Sequence, residues 1–133
     1  MRKFSVKGFT MIELLIVIAI IGILATIGLG AAFGQSRKAA KDAKMKSHIS
    51  ALQISLESYF ADNKQYPNAG NISALAGQLA PNYITPQTRD TIQADLPNAS
   101  PYNPSYARGP GVNRYTMSIT LQVDGTNFVV EGQ

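Results

Sequence analysis

From Leu14 to Phe33 the chain runs through twenty residues in which Thr26 is the only polar side chain. As a helix rising about 1.5 Å per residue, such a run spans about 30 Å, the hydrocarbon thickness of a bilayer. A buried helix of this length in a water-soluble protein needs a large body around it. The chain has 133 residues, and only 70 of them, 64–133, follow the helical region. The run is therefore read as a membrane span bounded by Leu14 and Phe33. A cleavable secretory signal is the first rival reading. Its apolar region is usually about 7 to 15 residues, shorter than this one, but Gly28-Leu29-Gly30 before Ala31 offers small residues for a cut near Ala31. That reading leaves Glu13 without a purpose.

The formal charge of +4 is unevenly placed. Arg2, Lys3 and Lys7 precede the apolar run. Arg37, Lys38, Lys41, Lys44 and Lys46 follow it, with only Asp42 against them, and the chain from Ser47 onward is slightly acidic. The basic balance thus belongs to the two flanks of the run and does not indicate a nucleic-acid-binding domain. On charge count alone, three before and five after, the positive-inside rule puts the C-terminal side in the cytoplasm. There is no cysteine, which excludes disulfides and cysteine-ligated metals.

Glu13 stands at the front of the run. A carboxylate within hydrocarbon costs about 2.5 to 3.5 kcal/mol on insertion scales unless it is paired or lies at the interface. Two readings follow: Glu13 sits wet at the headgroup boundary, or it meets a cation in an assembled state. The residues around it, Lys7-Gly8-Phe9-Thr10-Met11-Ile12-Glu13-Leu14-Leu15, closely resemble the prepilin motif of type IV pilins and of the pseudopilins of type II secretion and competence systems. The pattern is a short basic leader, a glycine, a phenylalanine, a glutamate four residues on, and an unbroken apolar helix. The strong match covers residues 2 to about 34, and a weaker one continues to Tyr66-Pro67.

The resemblance implies a specific fate. A membrane peptidase cuts between Gly8 and Phe9 and N-methylates Phe9; Glu13 then faces the α-amino group of Phe9 on a neighbouring subunit as a filament forms. Methylation keeps the amine's charge, and an ion pair is strongly felt in a low-dielectric packed core. The resemblance also implies a single-pass protein of the cytoplasmic membrane with its N-terminus in the cytoplasm and its head outside, against the charge count. Assembly then places the chain in a pilus or pseudopilus at the cell surface. The implied partners are copies of itself or related subunits, the prepilin peptidase, a membrane assembly platform and lipid. One departure from the family stands out: the proline that many members carry late in the apolar helix is absent from Thr26-Ile27-Gly28-Leu29-Gly30. Gly22, Gly28, Gly30 and Gly34 serve either as soft points that let subunits stretch or as small contacts for helix packing.

Beyond the run, Met45, Ile49, Leu52, Leu56 and Tyr59 or Phe60 recur at three- and four-residue spacing, and predict a helix from Phe9 to about Asp62, stopped at Asn63 and Tyr66-Pro67. Asp42 and Lys46 have the spacing of an i,i+4 ion pair. Asn71 to Leu79 reads as a short helix capped by Asn71 and halted by Pro81, and Pro97 to Gly111 as loop. Tyr115 to Val123 alternates apolar and polar, Asp124-Gly125 reads as a hairpin turn, and Thr126 to Glu131 as the return strand, with a third strand around residues 101 to 107. The expected fold class is α+β, a long N-terminal helix with a small antiparallel sheet on its second half, as in pilins. It divides into a leader, 1–8; a membrane and assembly helix, 9–34; its amphipathic continuation, 35–63; and a head, 64–133.

Catalytic chemistry is not visible in the sequence. His48, the only histidine, reads as exposed, and no serine has a base near it in sequence. No glycine-rich phosphate loop follows a strand, and no cofactor is implied. The heads of major pseudopilins bind calcium in a C-terminal loop, but Asp90, Asp95 and Asp124 lack the spacing to supply six to eight oxygens and read as solvated acids, so no metal site is expected. Arg37, Lys41 and Lys44 share a helical face that suits anionic headgroups or acids of neighbouring subunits better than DNA. The expected function is structural, not enzymatic: a subunit of a type IV pilus or of a type II secretion or competence pseudopilus. The alternatives are a monomeric membrane-anchored binding module and a soluble domain released near Ala31. Adhesion, motility, DNA uptake and secretion machines all remain open, as does the distinction between major and minor subunit.

Overall fold

A computed structural model describes residues 8–132, without the side chains of residues 27–32. The expected leader therefore lies, apart from Gly8, outside the described residues. The chain forms two compact units that divide between Arg37 and Lys38.

Helix α1, Met11–Asn63, is continuous by backbone hydrogen bonding through both units. It starts two residues later than the sequence predicts, because Thr10 caps it: the Thr10 carbonyl accepts from Leu14 N at 3.3 Å. In the first unit every described side chain from Gly8 to Thr26 is exposed. The stretch is rich in Ile, which has lower helix propensity than Ala or Leu. Its helicity thus depends on an apolar environment more than on propensity.

The second unit has its own core. Met45, Ile49, Leu52 and Leu56 of α1 are buried on one face, as the three- and four-residue spacing requires. The helix ends where Lys64 turns left-handed, φ 56°, and Lys64 N donates to Phe60 O. Helix α2, Ile72–Leu79, is capped by Asn71, whose Oδ1 accepts from Ala74 N at 2.7 Å. Helix α3, Pro86–Asp95, is an element for which the sequence reading makes no assignment; Thr85 caps it, Pro86 opens it, and Ile92 is its only buried residue. Strands β1, Ser105–Arg108, β2, Tyr115–Thr120, and β3, Asn127–Gly132, form an antiparallel sheet in the order β1-β2-β3. Tyr106 pairs with Met117, and Ile119 with Phe128. Tyr115, Met117 and Ile119 turn inward against the helices. Each large apolar side chain removed from water in this core contributes about 1.5 to 3 kcal/mol.

Two expectations about the hairpin need correction. Strand β2 stops at Thr120, before Val123, and Val123 is exposed. The connection is longer than a two-residue turn: Leu121 N donates to Thr126 O, and Gly125, at φ 69°, bonds back to Leu121 O. The cause is Asp42. Its carboxylate, 5% exposed, accepts from Gln122 N at 3.0 Å through both oxygens and from Val123 N at 3.0 Å. These amides are thereby withdrawn from the ladder. The expected Asp42–Lys46 pair does not form; the Lys46 ammonium lies 5.5 Å from the centre of the Phe128 ring.

Candidate assembly site

Gly8, Phe9 and Thr10 precede the helix in non-helical backbone. Phe9 is 75% exposed, and open space surrounds Gly8. Among the described residues, the junction between them is an exposed peptide bond in non-helical backbone beside a helix start.

Thr10 and Glu13 form a capping box, S/T-x-x-E. Glu13 Oε2 accepts from Thr10 N at 2.9 Å and from Thr10 Oγ1 at 2.7 Å, while Thr10 Oγ1 accepts from Glu13 N at 3.3 Å. This local partnership was missed in the sequence reading, although the Thr-x-x-Glu spacing displays it. All these bonds to the carboxylate use Oε2, so among the described residues Oε1 accepts none. Glu13 therefore has a partner within its own chain and still offers an oxygen to a cation.

Behind it the apolar residues are bare. Leu14 and Phe33, the ends of the expected span, are each 58% exposed. Among the described residues no helix is long and apolar enough to cross a membrane; the expected span includes residues 27–32, whose side chains lie outside those described. Gly22 and Gly34 have open space where a Cβ would stand. Gly28 and Gly30 fall among 27–32.

In the head, His48 is half-buried rather than exposed. Its Nε2 lies 2.8 Å from Asp95 Oδ2, and Lys44 Nζ reaches the same oxygen at 2.6 Å. Asp95, read from sequence as a solvated acid, is thus a partly buried anchor joining the end of α3 to α1. Its hydrogen bond from Lys44 holds its carboxyl below the usual range, with burial opposing and His48 adding to the effect. Asp90 pairs with Arg89 at 2.7 Å, and Asp124 Oδ1 accepts from Thr126 N and Oγ1. Among the described residues no three His, Asp or Glu side chains are grouped to hold a metal. Glu57 accepts from the hydroxyls of Tyr66, at 3.1 Å, and of Tyr115, at 3.3 Å. Burial, with Glu57 adding to it, pushes Tyr66 up to about 12. The Tyr102 hydroxyl is buried and, among the described residues, has no hydrogen-bond partner; burial and the nearby Asp42 carboxylate push it up.

The exposed junction, the capped acid and the apolar helix coincide with a known motif. A family model described as the prokaryotic N-terminal methylation motif matches residues 3–29. The Escherichia coli type II secretion system core protein G is 34% identical over 102 residues, covering 75% of this chain and 69% of that protein. The chain belongs to the type IV pilin and type II secretion pseudopilin family. Within it, core protein G of Klebsiella michiganensis is 42% identical over 67 residues, 50% of this chain and 46% of that protein. The type IV major pilin PilA of Myxococcus xanthus is 35% identical over 77 residues, 58% of this chain and 34% of that protein. The chain thus spans less than half the length of these last two relatives. No solved structure matches. A long N-terminal helix with a three-stranded antiparallel sheet is the architecture expected of a pilin-family chain.

Proposed function

We propose that this chain is a structural subunit of a type IV pilus or of a type II secretion or competence pseudopilus. It is inserted in the membrane as a prepilin, cut after Gly8, methylated at Phe9 and polymerised through its apolar helix. The observation that carries the reading is the arrangement at the helix start: among the described residues, an exposed Gly8–Phe9 junction, a capped Glu13 with one oxygen uncommitted, and an apolar helix surface without a partner. Exposed apolar surface of this extent requires lipid or other helices around it.

The charge logic follows from cleavage. Removing Arg2, Lys3 and Lys7 lowers the formal charge from +4 to +1 and creates a cation at Phe9. In a packed apolar core, the amine of one subunit and Glu13 Oε1 of the next pair to set docking and register. Among the described residues, the acid's hydrogen-bond partner is Thr10. The leader stays in the cytoplasm and the head outside. The peptidase and an assembly platform are the partners this cycle requires. In this role the chain is a substrate of the peptidase.

The N-terminus of the mature protein tests this reading. Mass spectrometry of chain recovered from filaments is expected to begin at a monomethylated Phe9. A chain that starts at Met1, or near Ala31, contradicts it.

A further inference from the structure

A hollow of about 320 Å³ opens between α1 and the loop that follows α3. Lys41 and Lys44 stand on its α1 side, and Met45, Pro97, Pro101 and Tyr102 make much of its apolar wall. Lys44 gives one of its three donors to Asp95 Oδ2, the oxygen that His48 Nε2 also contacts. Lys41 is exposed and has no acid partner among the described residues; Arg37 and Lys38 likewise. Asp95 and Ser100 also line the hollow, and Asp95 offsets Lys44, so among the described residues the hollow sets its one uncompensated cation, Lys41, beside a largely apolar wall. That combination matches a phosphate carried on an apolar body better than free phosphate, which would gain nothing from the proline and tyrosine surface.

We infer that this hollow binds the headgroup of an anionic phospholipid, with the phosphate on the Lys41 and Lys44 ammoniums and the glycerol region against Met45, Pro97, Pro101 and Tyr102. The inference rests on the proposed membrane insertion. These lysines follow the apolar run directly in sequence, so a chain that crosses the bilayer brings them into the headgroup layer, where each contributes attraction to anionic lipid. It also gives the basic residues after the span a purpose on the side where a simple charge count would not place them.

The test is native mass spectrometry of the full chain in detergent micelles doped with equal amounts of phosphatidylglycerol and phosphatidylcholine of matched acyl chains. Phosphatidylglycerol is expected to be retained roughly tenfold over phosphatidylcholine, and Lys41→Gln to lower its retention roughly fivefold. Ala94→Phe, which fills the hollow without changing charge, should reduce retention to the phosphatidylcholine level, whereas Lys38→Gln, outside the hollow, should change it less than about twofold. Equal retention of the two lipids overturns the inference. So does a preference that survives both Lys41→Gln and Ala94→Phe, or complete displacement by inorganic phosphate at the lipid's concentration. Thermal unfolding checks each variant. Lys41 is unpaired and exposed, so Lys41→Gln decides the matter even if Ala94→Phe does not fold. Filament formation plays no part in the measurement. Loss of filaments with lipid preference intact therefore counts against the proposed function alone, and the converse against this inference alone.

Discussion

The Glu13 carboxylate uses one oxygen within its own chain, and this changes how a substitution there should be interpreted. Replacing Glu13 with alanine removes both a charge and a capping partner, and loss of a helix cap alone costs about 0.5 to 2 kcal/mol. Assembly failure in that variant would not distinguish the two. Glutamine at the same position can keep the capping box and lacks the charge, so it separates them. Elsewhere at this scale, the tyrosines make the head sensitive to alkali. Tyr66 and Tyr106 are each pushed up to about 12 by burial, and Tyr115 moves in the same direction. Their ordinary value is 10.0. Above that, the unfolded chain gives up protons that the folded head retains, so stability falls as pH rises. It is fully present below pH 10 and declines through about pH 12. The urea midpoint of the head is expected to be lower at pH 11 than at pH 9, and Tyr66→Phe to flatten that decline. A midpoint unchanged across this window would contradict the buried placement of these hydroxyls.

Among the elements, the β2–β3 connection shows how one helix side chain decides a loop. Asp42 sits on α1 and fixes the amides of Gln122 and Val123, far along the chain. Asp42→Ala should destabilise the head by about 1 to 3 kcal/mol, because it leaves those amides without their acceptor. Urea unfolding measures this; a loss below about 0.5 kcal/mol, the range of an ordinary surface change, would mean the clamp is not needed. The same contact explains why the strand end was misread from sequence. The alternation from Tyr115 through Val123 is real, but only Tyr115 to Thr120 form a strand. Periodicity reports local preference and cannot register a carboxylate 80 residues away. Helix α3 was missed for the opposite reason. It buries only Ile92, so it has almost no apolar stripe, and its signal lies in Thr85 followed by Pro86, a cap and a first-turn proline. Helix α2, with both stripe and cap, was legible, as was the buried face of α1 from Met45 to Leu56.

At the scale of the whole molecule, the two units obey different rules. The second encloses a core of its own, whereas the first exposes nearly every apolar side chain described in it. A chain organised this way is incomplete by itself. Its sequence displayed that plainly, because an apolar run beside a lone acid requires only local reading. The partners inside the head, such as Glu57 with its two tyrosines and Asp95 between Lys44 and His48, required tertiary structure to become visible. The central claim concerns the charge on Glu13 meeting the new amine of Phe9. It is tested by Glu13→Gln, expressed in cells that assemble filaments from the wild-type chain, with membrane insertion and filament yield measured together. Normal insertion with filament yield reduced at least tenfold is the predicted result, equivalent to about 1.4 kcal/mol or more in docking. Filaments at wild-type yield from this capped but uncharged helix start would contradict it.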